Sequence, residues 1–142
     1  FQALAGSKLP RVYVNLGELL LRPSQAPRGL ELALEVFRQK TDPLIVRNTL
    51  AWVFATSPQA AYRDGPEAVR LALLVTQTKP GKAAFLDTLA AAYAEVKLFT
   101  EAVDTLQKAI GLAEKAGQTA LAGEMRPRLA LYRSKKPYRP PE

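Results

Sequence analysis

The chain has 142 residues, 48% of them apolar and 23% charged, with a formal net charge of +7 and neither cysteine nor histidine. That balance suits one domain with a real core and excludes a disordered chain, and no apolar run approaches the ~18–20 residues a membrane span needs. Lacking Cys and His, the chain has no disulfides, thiolate metal sites or cysteine nucleophiles, and it loses the usual general base, the serine triad and almost every zinc or non-haem iron site.

Seven helices are predicted in chain order. The first covers about 11–22, with Val12, Leu16, Leu19 and Leu20 on one side. Pro23, Pro27 and Gly29 break it, and a second runs over about 28–41 with Leu30, Leu34 and Phe37 inward. Thr41-Asp42-Pro43 is a restart signal, because Asp42 accepts from free backbone N–H groups while Pro43 takes the first helical position. The third helix, about 43–57, holds Val46, Leu50, Ala51, Val53 and Phe54. Asp64 followed by Glu67 reads as a capping box for a fourth helix at about 66–78, which buries Val69, Ala72, Leu73 and Thr76.

Lys79-Pro80-Gly81 ends that helix. Residues 83–116 then form a helix–turn–helix unit divided near Lys97-Leu98, with Thr100 expected to cap its second helix. Leu86, Leu89, Ala90 and Tyr93 stand three to four apart on the first helix of the unit, and Ala102, Leu106, Ala109 and Ile110 do so on the second. Gly117 closes the unit. A seventh helix covers about 119–133, with Pro127 expected to kink or split it, and 134–142 is a basic, Pro-rich extended tail. No strand pattern survives, so the fold class is all-α.

The small and large residues of 83–116 resemble the tetratricopeptide repeat at Leu89-Ala90, Tyr93, Ala102, Leu106 and Ala109, with Leu86 where that family often has Trp. Residues 44–80 match through Leu50-Ala51, Phe54, Ala68, Ala72, Val75 and Pro80, with an enlarged loop over Ser57–Gly65. Leu50-Ala51-Trp52 with Arg63-Asp64-Gly65, and the ending Arg128-Leu129-Ala130-Leu131-Tyr132 with Lys136-Pro137-Tyr138-Arg139, look like a variant common in bacterial repeat proteins. Residues 11–43 fit loosely. The resemblance implies a domain over 1–133, a right-handed superhelical stack of antiparallel helix pairs (an α-solenoid) with units at about 11–43, 44–80 and 83–116 and a capping helix at 119–133. Because the chain opens at Phe1 with no leader and Phe1-Gln2-Ala3-Leu4 reads as the remnant of an earlier helix, we expect a fragment or processed product with further repeats or another domain upstream; its compartment is not legible.

In this family the first helix of each pair lines a concave groove. Projecting the groove positions gives Arg11, Val14, Glu18, Leu21 and Arg22, then Ile45, Asn48, Trp52, Ala55 and Thr56, then Ala84, Asp87, Ala91, Ala94 and Glu95. Partner contacts would fall on Arg11, Glu18, Arg22, Asn48, Trp52, Asp87 and Glu95. Some relatives grip a terminal carboxylate with Lys and Asn at such places, but Asp87 and Glu95 oppose that here. Trp52, the sole tryptophan, is either an aromatic anchor for a peptide or packs against the neighbouring helix or under the Ser57–Gly65 loop, and packing is the preferred reading.

The pairs Asp64/Glu67 and Glu101/Asp104 sit at helix starts, where acids offset the helix dipole, so capping is preferred to acid–base catalysis. No Gly-rich phosphate loop is present. Residues 126–142 carry six cations, Arg126, Arg128, Arg133, Lys135, Lys136 and Arg139, against one acid, with Tyr132 and Tyr138 interleaved. They either meet nucleic acid, an anionic membrane surface or an acidic partner, or form a solvated end whose tyrosines fold back on the seventh helix; the second is preferred.

The sequence therefore leads us to expect a non-catalytic scaffold that binds a protein or peptide in its groove, with no cofactor, metal or small-molecule substrate. The alternatives are a docking or regulatory domain of a larger enzyme, such as a glycosyltransferase, and an anionic-surface binder acting through the basic tail.

Overall fold

The computed structural model describes residues 42–140. The helices expected at 11–22 and 28–41, and with them Arg11, Glu18 and Arg22, lie outside the described residues. Among the described residues the protein is all-helical with no strand, and it has five α-helices: α1 (Pro43–Thr56), α2 (Gly65–Thr78), α3 (Ala83–Glu95), α4 (Phe99–Lys115) and α5 (Thr119–Arg133). A short 3-10 turn, Ala60–Tyr62, sits in the enlarged loop between α1 and α2.

Local chemistry sets the helix starts. The Leu44 N–H donates to Asp42 Oδ1 at 2.8 Å with Pro43 in the first turn, and the Glu67 N–H donates to Asp64 Oδ1 at 3.2 Å with Pro66 in the first turn of α2. α1 stops at Thr56 because Ser57 precedes Pro58, which disfavours helical backbone at the residue before it. Gly65 opens α2 against the end of α3. A Cβ there would lie 2.6 Å from Val96 Cγ1, so a side chain at this position would push the two helices apart.

α3, α4 and α5 end in the same way. After each helix one residue takes a left-handed backbone, Lys97 (φ 67°), Gly117 (φ 75°) and Lys135 (φ 58°). The next residue's N–H returns to the carbonyl five back: Leu98 to Tyr93 at 2.9 Å, Gln118 to Ala113 at 2.8 Å and Lys136 to Leu131 at 3.0 Å. These are Schellman turns, which satisfy the last carbonyls and reverse the chain. With links of only 96–98 and 116–118, α3 and α4, and then α4 and α5, run back along each other.

Two expectations about helix ends are corrected. Thr100 does not cap α4, which begins at Phe99 after Leu98 without a side-chain cap. Pro127 does not split α5, which is unbroken from Thr119 to Arg133. Pro127 and Gly123, four residues before it, are both exposed, so the carbonyl that loses its donor faces solvent and the side-chain-free Gly123 yields to the proline ring.

α1 packs on α2 and on α3, α2 on α3, α3 on α4 and α4 on α5, while α3 meets α5 more lightly. The core is rich in alanine: Ala51, Ala55, Ala68, Ala72 and Ala92 join Trp52, Leu71 and Leu89, and Ala90, Ala94, Ala102, Ala109 and Ala113 join Leu106, Met125 and Tyr132. Small side chains let the helix backbones approach closely, and the few large ones fill what remains. The inward face of α2 is Ala68, Leu71, Ala72 and Val75, so Val69, Leu73 and Thr76, expected inside, are its half-buried flanks. On α1, Val46, Leu50 and Phe54 are likewise half-buried, and Asn48, Thr49 and Trp52 go inside. The hydroxyls of Thr49, Thr56 and Thr88 each donate to the carbonyl four residues back, at 2.8, 2.7 and 3.2 Å, which satisfies them within the helix.

Candidate functional site

Helical spacing puts Asn48 and Trp52 on one face of α1 and Asp87, Ala91 and Glu95 on one face of α3. α1 and α3 pack together, so these residues share a surface. That surface is covered. Asn48 and Asp87 are fully buried, Trp52 is 3% exposed, and only Glu95 is partly open. Over Trp52, Asp87 and Glu95 the cover comes from α5 and from the residues just after it.

Arg128 of α5 donates from Nη2 to Asp87 Oδ2 at 2.5 Å, inside the fold. Its guanidinium carbon stands 5.3 Å from the centroid of the Trp52 ring and 5.1 Å from that of Tyr138. The two rings are themselves 5.8 Å apart at 47°. A flat cation near two aromatic faces gains from both quadrupoles, and the ion pair to Asp87 fixes its position. The spacing of Leu121, Met125, Arg128 and Tyr132 puts Arg128 on the apolar side of α5, and it is 7% exposed.

The Schellman turn at Lys135 redirects the chain, Pro137 keeps it from resuming a helix, and Tyr138 and Arg139 cross to the same surface. Tyr138 packs against both core clusters. Arg139 Nη2 donates to Glu95 Oε1 at 2.7 Å and its Nη1 donates to the Ala55 carbonyl at 3.4 Å and to its own neighbour's, Tyr138, at 2.9 Å. Glu95 is held from the other side by Arg63, whose Nε is 3.6 Å from Oε2 and whose Nη1 donates to the Ser57 carbonyl at 2.8 Å. One carboxylate thus links the α1–α2 loop, the end of α3 and the C-terminal segment.

Burial raises the Asp87 carboxyl above its ordinary range, partly offset by Arg128. Burial also pushes the Tyr132 phenol far up, with Asp87 adding to the effect and Arg128 opposing it, and it raises Tyr138 with Arg128 opposing. Among the described residues Asp87 Oδ1, Arg128 Nε, Tyr132 Oη and both polar atoms of the Asn48 amide are buried without a hydrogen-bond partner. No cluster of three acidic, His or Cys side chains that could hold a metal occurs among the described residues. The one buried carboxylate is committed to an arginine.

The structure brings together three of the groove residues named from the sequence, Trp52, Asp87 and Glu95, with two of the basic residues, Arg128 and Arg139, while Asn48 is buried on α1 apart from those contacts. Arg126, on the outer side of α5, pairs with Glu114 at 2.8 Å, while Arg133, Lys135 and Lys136 are exposed. Half of the basic group is therefore engaged by acids of the same chain. Asp64 and Glu67 remain at the start of α2, where Glu67 pairs with Arg70, and Glu101 and Asp104 are exposed on α4. Arg63 carried no sequence signal as a site residue. Arg128 did carry one, an arginine in register with apolar neighbours. No family model, curated protein or solved structure matches the chain.

Proposed function

We propose that this chain is a non-catalytic protein-interaction module of the tetratricopeptide type. In this reading α1–α2 and α3–α4 are two units of a right-handed superhelical stack, α5 is its capping helix, and a protein or peptide docks on the face formed by α1 and α3. The observation that carries the reading is that this face already takes a stretch of non-helical polypeptide, residues 137–140, through a tilted ring contact, an ion pair and a bond to a helix carbonyl. The contact of α1 with α3 as well as with α2, and the alanine-lined helix crossings, support the stacking. Affinity would come from shape and a few anchors, with no chemistry.

The test is affinity capture with the wild-type chain, Glu95→Lys and Glu101→Lys at low and high salt, each variant first checked for native helicity. Glu101 is exposed on α4, so its variant makes the same charge change away from the proposed face. We expect a discrete protein that survives high salt, is retained by Glu101→Lys and is lost with Glu95→Lys. Recovery of nucleic acid or lipid that disappears with salt in all three would contradict the reading and move the function to Arg133, Lys135 and Lys136.

A further inference from the structure

The segment seated on the α1/α3 face shows what that face accepts. We infer that the face is a receptor for a non-helical peptide bearing an aromatic residue followed directly by arginine, and that Tyr138–Arg139 is its occupant in cis. This rests on the reading of the chain as an interaction module and names the chemistry of the partner.

Charge selects the arginine. α3 contains no lysine or arginine, and the one cation of α1, Arg47, is exposed. The face therefore contributes two carboxylates, Asp87 and Glu95. Asp87 is consumed by Arg128, which belongs to α5 and not to the segment. Glu95 remains as the anion that reads an incoming cation, and Arg63 and the α1–α2 loop hold it in position. A guanidinium placed there also reaches the Ala55 carbonyl, which lysine, with its single point of charge, serves less well.

The aromatic residue is selected by the surface that the Trp52 ring and the Arg128 guanidinium, 5.3 Å apart and both carried by the folded helices, present together, with the Tyr138 ring 5.8 Å from the one and 5.1 Å from the other. Among the described residues no backbone N–H of 137–140 bonds to the face, so recognition is by side chains and not by strand addition. Pro137 and Pro140 flank the pair and keep it out of a helix. The ion pair lies near solvent, the Arg139 side chain 31% exposed and that of Glu95 16%, which gives a competing guanidinium access to the carboxylate. Tethering supplies the cis segment at an effective concentration of about 1 mM or more, which a free peptide must overcome.

The probe is a fluorescein-labelled peptide of residues 135–140, titrated against the full chain and against the full-length double variant Tyr138→Ala/Arg139→Ala by fluorescence anisotropy. We expect the double variant to bind the peptide at least tenfold more tightly than the wild type. Replacing Tyr or Arg in the peptide by Ala should each cost at least tenfold. If the double variant is folded by circular dichroism and does not bind, binds no better than the wild type, or binds the Ala peptides equally well, the inference is overturned. Should the double variant lose its helicity, Arg139→Ala alone decides on the same criteria, since it removes a part-exposed ion pair and two bonds to carbonyls and leaves the Trp52–Tyr138 ring contact. Failure here, with a captured protein still lost on Glu95→Lys, would leave the interaction-module reading standing with a different ligand; failure of both would remove both.

Discussion

At the scale of single residues the molecule is organised by a buried cation. The side chains of Arg128 and Asp87 are 8% and 0% exposed, so each has given up hydration that its partner's charge must offset. Replacing one partner leaves the other unpaired in a low-dielectric interior. Arg128→Ala is expected to cost about 3–5 kcal/mol in urea or thermal unfolding near neutral pH. In that variant the folded carboxyl of Asp87 lies further above its unfolded value, so the penalty is present above the folded pKa and shrinks as pH falls through it. A deficit independent of pH would show that Asp87 is not the group left unpaired.

Tyr132 makes the opposite case. Its hydroxyl is buried without a partner, so Tyr132→Phe is expected to be neutral or stabilising by up to about 1 kcal/mol. Burial raises its folded pKa above the ordinary value of 10.0, and Tyr138 is shifted in the same direction. The contribution of such a group is intact below pH 10 and is lost as pH rises, because the unfolded phenol ionises where the folded one does not. Stability should therefore fall above pH 10, by up to ~1.4 kcal/mol per pH unit for the buried Tyr132, with the part-exposed Tyr138 adding a smaller share in the same direction, and Tyr132→Phe should remove most of that slope. Thermal unfolding followed at several alkaline pH values reads both.

At the scale of elements, the sequence was most legible where side-chain chemistry is local. Asp42-Pro43, Asp64 with Pro66, and Gly117 each announce a boundary because a short polar side chain, a ring or a missing Cβ fits one backbone geometry. Lys97 and Lys135 announce nothing, since lysine does not favour the left-handed backbone that the Schellman turns impose on it. The strain there is recoverable. Lys97→Gly should stabilise the protein by about 0.5–1 kcal/mol, read as a rise in Tm, because the gain in backbone freedom at φ 67° outweighs the added entropy of the unfolded chain. No change, or a loss, would mean that the lysine side chain supplies an interaction that offsets the strain. The expected break at Pro127 failed for a related reason: a proline's cost depends on what surrounds the freed carbonyl, and periodicity does not report that.

At the scale of the whole molecule, the resemblance to a helical repeat pointed to a face but not to what covers it. Asn48, Trp52, Asp87 and Glu95 are grouped by the groove positions that the tetratricopeptide resemblance projects onto two helices, whereas the partners of Trp52, Asp87 and Glu95 stand in α5 and in the segment after it, and no local pattern links positions so far apart. Charge grouping also misled, since Arg128 and Arg139 look like part of a solvated basic end until burial shows each against a carboxylate. The molecule closes on itself: two Schellman turns fold α4 and α5 back, a third returns the chain, and Tyr138 touches both halves of the core.

The central claim is that the C-terminal segment sits on the α1/α3 face, and Trp52 reports on it directly, being the only tryptophan of the chain and 3% exposed. We would measure acrylamide quenching of Trp52 fluorescence in the wild type and in Tyr138→Ala. The account predicts slow quenching in the wild type and a severalfold larger Stern–Volmer constant in the variant, with helicity unchanged. Equal quenching in the two proteins, or a wild-type Trp52 quenched as readily as free tryptophan, would contradict it.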